Sequence, residues 1–206
     1  MPDKARFAAG TVGVFYGGVS AEREVSLRTG AAAAAALRRK GRAVREIDIR
    51  EDWLGTVRDA GVDAAFLALH GRYGEDGCIQ AACELARLPY TGSGVAASAI
   101  SMSKLLGKRM AASAGVPCAP DAVYEGPSLA GARPPAFGFP LVVKPDREGS
   151  TVGVSIVRDS SQWEAALAEA ARYDTRVLVE GFVPGREITV GIVNGRVLPA
   201  IEIVPK

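Results

Sequence analysis

The sequence predicts an α/β fold, with a parallel-sheet unit first and an α+β unit after it. Short apolar runs alternate with helix-like segments over the first ninety or so residues. After residues 89–94 this alternation gives way to short strands separated by glycine- and proline-containing turns. Hydrophobic residues make up 48% and charged residues 23% of the 206-residue chain, a balance that supports buried cores and argues against disorder.

Taken in order, residues 11–16 (TVGVFY) form an apolar run ending in Gly17-Gly18 and read as a buried parallel strand. Residues 20–40 read as a helix: Ser20 can cap it and the alanine run at 31–36 has high helix propensity. Arg38, Arg39 and Lys40 fall in its last turn before Gly41, where cations complement the dipole, so this basic cluster is a helix end and not a nucleic-acid patch. A strand over 43–49, a short helix over 53–59, a strand over 63–70 and a helix over 77–87 capped by Asp76 complete a βαβαβα order, which implies right-handed crossovers and a sheet covered on both faces.

Residues 101–114 predict one amphipathic helix stopped by Gly115-Val116-Pro117, and 126–140 a surface loop. Strands follow at 141–144, 153–157, 177–181 and 186–194, interrupted by a helix over 161–173, and the tight glycine-containing connections make them antiparallel. Asn194-Gly195 predicts a two-residue hairpin turn into a last strand over 197–206, whose faces have nothing after them to cover them, so the third unit reads as incomplete.

The net charge of +2, from 25 basic and 23 acidic residues, gives no electrostatic case for nucleic acid. No apolar stretch reaches the length of a membrane span, and the start lacks the apolar core of a secretory signal, so a cytoplasmic protein is expected. Cys78, Cys83 and Cys118 form no C-x-x-C pair, which indicates neither a zinc site nor a disulfide framework.

Four loops carry candidate chemistry. Residues 17–26 follow the first strand, where open α/β sheets bind ligands, and Glu22 and Ser26 are spaced to share a helix face; Glu22 can equally serve only to complement the helix N-terminus. Residues 70–80 follow the third strand and hold His70, the sole histidine, which is either a ligand contact or structural. Residues 141–154 place Lys144 at a strand end, on the face shared with Val142, before a glycine- and hydroxyl-rich loop able to wrap phosphate oxygens; an ordinary hairpin with an exposed lysine is the alternative. Residues 177–187 put Glu180 and Glu187 either side of a Pro-Gly hinge, as acceptors for an amino group or hydroxyls, or as solvated charges on a turn.

These segments run G-G-x-S-A-E-R-E-V-S, H-G-R-Y-G-E-D-G-C-I-Q, P-Y-T-G-S-G-V-A-A-S-A-I-S-M-S-K, V-V-K-P-x-R-E-G-S-T-V-G-V and V-L-V-E-x-x-V-P-G-R-E-I-T-V. In that order they resemble the D-alanine–D-alanine ligase family of ATP-grasp enzymes. The resemblance implies a Rossmann-like N-terminal substrate domain over 1–92, a central ATP-grasp α+β subdomain over 93–185, and the start of a C-terminal ATP-grasp domain over 186–206. It implies that Glu22 binds the ammonium of the first D-alanine, that His70 lies near its carboxylate, and that Ser150 helps orient Glu22 and the substrate. Lys104 and Lys144 are implied to contact ATP phosphates under a loop holding Gly149, Ser150 and Thr151. Glu180 and Val183 are implied at the adenine and Glu187 at the ribose. Gly181 departs from the lysine frequent there in the family, which puts that one adenine contact in doubt.

The implied reaction joins two D-alanines through an acyl phosphate, with ATP and magnesium, for peptidoglycan precursors. The family's magnesium ligands and its intermediate-stabilising arginine are expected beyond residue 206, so this chain alone is expected to be inactive. A homodimer is the family's habit. Three readings compete: a D-alanine–D-lactate ligase, a truncated nucleotide-binding module without catalysis, and a NAD(P)-binding protein with Asp48 as ribose acceptor. The last is weakened by the lack of G-x-G-x-x-G.

Overall fold

A computed structural model describes residues 10–126, 129, 131–149 and 151–204. The expectations for Ser150 and for the first nine residues lie outside the described residues. The first sheet is parallel, with β1 (Val12–Gly17) between β2 (Val44–Ile49) and β3 (Ala64–Leu67). Its two faces bury different residues of the same strands, as strand alternation requires. Val14 packs with Ala34 and Ala68 under α1 (Arg23–Arg39). Phe15 and Ala65 pack with Val57 of α2 (Trp53–Arg58) and with Ile79, Ala82 and Cys83 of α3 (Cys78–Leu85).

In the strand order β2-β1-β3 the helix that follows β1, α1, covers one face of the sheet and the helix that follows β3, α3, covers the other. A crevice therefore opens at the carboxyl ends of β1 and β3, the usual ligand position in such sheets. Glu22 follows β1 and His70 follows β3, so topology alone brings these two loops together.

Helices α4 (Val95–Met102) and α5 (Lys104–Ser113) lead to an antiparallel sheet. Its order is β4 (Asp121–Glu125), β7 (Arg176–Gly181), β5 (Leu141–Pro145), β6 (Ser155–Val157). On one face Leu141, Val143, Val177 and Val179 pack against Trp163, Leu167 and Ala170 of α6 (Trp163–Ala171), which follows a short 3-10 turn at Ser160–Gln162. The opposite face carries Lys144, Glu180 and Asp121, because Glu180 pairs with both Asp121 and Val142, and Lys144 with Leu178. The remaining strands, β8 (Glu187–Val193) and β9 (Arg196–Ile203), form a hairpin paired only with itself among the described residues, and its residues are exposed throughout. Asn194 and Gly195 both take positive φ, 50° and 77°, as the expected tight hairpin turn requires.

Several expectations are corrected. The helix expected over 101–114 is two helices meeting at Ser103, which is extended (φ −83°, ψ 113°) and caps α5 through Leu106 N–H. Ser20 does not cap α1; the cap position is Glu22, while Ser20 Oγ donates to His70 O at 2.8 Å and ties the two loops together. Asp76 sits one residue before the cap, Gly77, yet still accepts from Cys78 N–H at 3.1 Å. The strand expected over 63–70 spans only Ala64–Leu67, and β4 had no counterpart in the sequence reading. The segments 177–181 and 186–194 do not pair with each other; they belong to different sheets.

Candidate nucleotide and amino-acid site

Glu22 stands where the two units meet. A Cβ built on Gly71, whose φ is +68°, would lie 2.9 Å from Glu22 Oε2, and one on Gly149 would lie 3.3 Å from the same oxygen. The Glu22 carboxylate is therefore lodged between the loop after β3 and the loop after β5, approached closely by glycine backbone on both sides. Ser26, expected beside Glu22, turns inward instead: buried, it accepts from Gly17 N–H at 2.8 Å and donates to Ala68 O at 2.7 Å, binding α1 to both strands.

The loop after β3 is pinned by its own acids. Glu75 Oε2 accepts from Gly71 N–H at 2.7 Å and Asp76 Oδ2 from Tyr73 N–H at 2.8 Å. Tyr73, at φ 65°, meets Trp53 edge-on with ring centroids 5.5 Å apart. His70 is partly exposed, with Nε2 3.2 Å from Thr29 Oγ1 and Nδ1 3.8 Å from Glu75 Oε1.

Across the junction, Lys104 opens α5 and Lys144 lies on β5. Lys104 Nζ donates to Pro145 O at 3.1 Å, to Asp146 O at 3.3 Å and to Glu148 O. Burial and, after it, the like charge of Lys144 lower the Lys104 pKa. Two ammonium groups are thus held near one another at the root of the loop that carries Gly149, an arrangement suited to a polyanion. Lys144 pairs with Glu180, so its head lies on the same sheet face as the acceptor expected at the adenine. Thr151 has φ 66°, and turns bond Val152 N–H to Gly149 O and Val154 N–H to Thr151 O, so these two N–H groups are engaged within the loop. Val183 lies exposed on the connection after β7, and Glu187 is the exposed first residue of β8.

Residues that the sequence reading did not nominate hold this arrangement. Asp146 is fully buried; its carboxylate accepts from Ser103 Oγ and Leu105 N–H, each at 2.8 Å, and lies 3.5 Å from Arg176 Nη1. Lys108 bridges Glu180 and Asp121. Asp48 accepts from Arg23 Nη1 and Nη2 at 2.9 and 2.8 Å, so the acceptor of the NAD(P) reading is already engaged by protein. Local spacing carries no sign of these contacts, which join positions far apart in the chain. Among the described residues no group of three or more His, Cys, Asp or Glu is arranged to hold a metal ion.

The carboxylates also predict acid sensitivity. Burial works against ionisation of Asp121, Asp174 and Glu180, but Arg109 and Lys108, Arg147, and Lys108 with Lys144 outweigh it respectively and hold each below its ordinary pKa. The unfolded chain binds these protons more tightly, so their contribution is complete above about pH 5 and is lost as pH falls below about 4. Glu148, raised by burial and by the charge of Glu22, has the opposite sign. The melting temperature is expected to hold from pH 7 to about 5 and then fall steeply; a flat profile down to pH 3 would contradict these pairings.

Comparison with known proteins decides the family. The signature described as D-ala D-ala ligase N-terminus matches residues 52–93, and that described as D-ala D-ala ligase C-terminus matches 125–206. A crystal structure of D-alanine–D-alanine ligase from Bacillus anthracis complexed with ATP superposes with a TM-score of 0.85 at 34% identity, over 96% of this chain and 67% of that one. The chain belongs to the D-alanine–D-alanine ligase family. Curated family members from Citrifermentans bemidjiense and Syntrophotalea carbinolica are 52% and 50% identical over 95% of the chain, which spans 63% of their length. The Helicobacter pylori ligase, at 21% identity and a TM-score of 0.74, shares the fold. The parallel sheet, the antiparallel sheet and the separate hairpin are thus those of an ATP-grasp D-alanine–D-alanine ligase. No helix among the described residues is long and apolar enough to cross a membrane.

Proposed function

We propose that the protein to which this chain belongs is an ATP-dependent ligase joining two D-alanines through an acyl phosphate. The observation that carries this reading is the meeting of Glu22 with the Gly149 loop, whose root is gripped by Lys104 and lies beside Lys144. An amino acid whose ammonium pairs with Glu22 is then adjacent to the segment that would cover a triphosphate. Lys104 and Lys144 neutralise phosphate oxygens, with the backbone at 149–151, including Ser150, adding donors. Glu180 and the Val183 backbone meet the adenine and Glu187 the ribose, while His70 lies toward the first substrate's carboxylate. One carboxylate oxygen attacks the γ-phosphorus and ADP leaves with the bridging oxygen. The amine of the second D-alanine then attacks the acyl carbon, phosphate departs and the amine loses its proton. The chain's own contribution is placement and charge balance rather than a nucleophile.

Peptidoglycan precursor synthesis in the cytoplasm and a homodimer belong to the same proposal. The test is phosphate release by the complete translated product of the gene. Release that requires D-alanine and magnesium supports the reading; release indifferent to D-alanine, or none, overturns it. In that assay Glu22→Gln is expected to raise the KM for D-alanine about 10- to 100-fold, as loss of an ion-paired hydrogen bond implies. ATP affinity measured without D-alanine is expected to stay within about 2-fold, since Glu22 does not touch the nucleotide in this reading. Equal losses in both would assign Glu22 to the fold.

A further inference from the structure

Five charged side chains meet where α5 crosses the polar face of the second sheet. Lys108 lies one helical turn beyond Lys104 and is 12% exposed. Its ammonium has three oxygen neighbours: Glu180 Oε1 at 2.5 Å, Ala119 O at 2.7 Å and Asp121 Oδ1 at 3.3 Å. Two of these neighbours are carboxylates, so the charge of Lys108 is already matched within the protein, whereas the oxygen partners of Lys104 are uncharged backbone carbonyls. Glu180 is held from both sides, with Oε1 on Lys108 and Oε2 on Lys144. Asp121 is fixed in turn by a two-point contact from Arg109 at 3.1 and 2.8 Å. Lys108 and Glu180 thus form a fixed pair, whereas Lys144 has a single carboxylate partner among the described residues and stands beside Lys104.

The consequence appears when an anion draws Lys144 away. Without Lys108, Glu180 would then be a mostly buried carboxylate with no cation, a costly state that would hold Lys144 back. With Lys108 in place the charge remains balanced, and the second oxygen of Glu180 becomes available in a fixed direction. We propose that Lys108 is a positioning residue that releases Lys144 to the nucleotide phosphates and aims the vacated oxygen of Glu180 at the amino group of an adenine-type base. This rests on the reading above, in which Glu180 meets the base. A guanine-type base, which presents a carbonyl where adenine carries its amino group, would face that oxygen with an acceptor.

The test measures ATP and GTP affinity in the complete translated product carrying Lys108→Met, Lys108→Arg, Glu180→Gln or the Lys108→Met/Glu180→Gln pair. Lys108→Met is expected to weaken ATP binding about 10- to 30-fold and to narrow the preference over GTP, with Lys108→Arg recovering most of the loss. Because Lys108 acts through Glu180, Lys108→Met is expected to add no more than about 2-fold in the Glu180→Gln background. That double variant has no unbalanced carboxylate at position 180, so it reports even if Lys108→Met alone fails to fold. A further loss as large in the double variant as in the single one overturns the proposal, as does a folded Lys108→Met with normal ATP affinity and preference. If Glu180→Gln itself changes neither ATP affinity nor the preference over GTP, the placement of Glu180 at the base is wrong and the role of Lys108 falls with it.

Discussion

Replacing Lys144 by alanine is expected to weaken ATP binding about 30- to 150-fold, the loss of one charge-assisted contact of about 2–3 kcal/mol. The fold is expected to tolerate the change. Lys144 is partly exposed on the polar face of β5, and the Glu180 carboxylate keeps its 2.5 Å contact with Lys108 when Lys144 is gone. Calorimetric titration of the complete translated product with a non-hydrolysable ATP analogue checks the affinity, and a melting curve checks the fold. Lys144→Arg retains the charge and is expected to lose less, although its planar fork does not reproduce an ammonium. Unchanged affinity in a folded Lys144→Ala protein would remove this lysine from the nucleotide site.

Asp146→Ala is expected to act through stability. Its fully buried carboxylate unites the start of α5, the end of β5 and the start of β7, through Ser103, Leu105 and Arg176. The backbone of Asp146 adds bonds from Lys104 N–H and to Arg176 O, each at 3.1 Å. Truncation leaves a buried hydroxyl and a helix N–H without their charged acceptor, while Arg176 keeps its pairing with Glu125, and the loss costs about 3 kcal/mol or more. At about 2–4 °C per kcal/mol for a chain of this size, the melting temperature is expected to fall by roughly 6–12 °C. Asp146→Asn keeps the acceptor oxygen and is expected to lose about half as much. ATP affinity is expected to weaken in Asp146→Ala even well below its melting point, because Lys104 loses the anchor of its helix turn. A melting temperature within about 2 °C of the parent protein would show that this network contributes little.

What was legible in the sequence followed from local pattern. Apolar runs of strand length separated by an alanine-rich helix gave the parallel sheet, and alternation along 141–144 put Lys144 and Val142 on the more open face. The positions that escaped depend on partners far along the chain. Ser103 breaks a helix that propensity favours because Asp146, 43 residues later, receives its hydroxyl. Strand β4 went unseen because Asp121 and Glu125 bound a short apolar centre whose partner strand starts at Arg176. Lys108 reads locally as one more helix lysine, and becomes distinctive only when β4 and β7 bring two carboxylates beneath it. The loops after β1, β3 and β5 were readable as motifs, but Ser20 bonding to His70 and Gly149 backbone lying against Glu22 are properties of the assembled chain.

The segment bearing Gly149 has one side toward Glu22 and its root in the grip of Lys104. In the ligase reading, one short stretch of backbone therefore borders two pockets that bind chemically unrelated molecules. If filling either pocket steadies that stretch, each occupant raises the affinity of the other by the same factor, since linkage is reciprocal. An enzyme built this way would keep idle ATP hydrolysis low simply because its cover settles only when both guests are present.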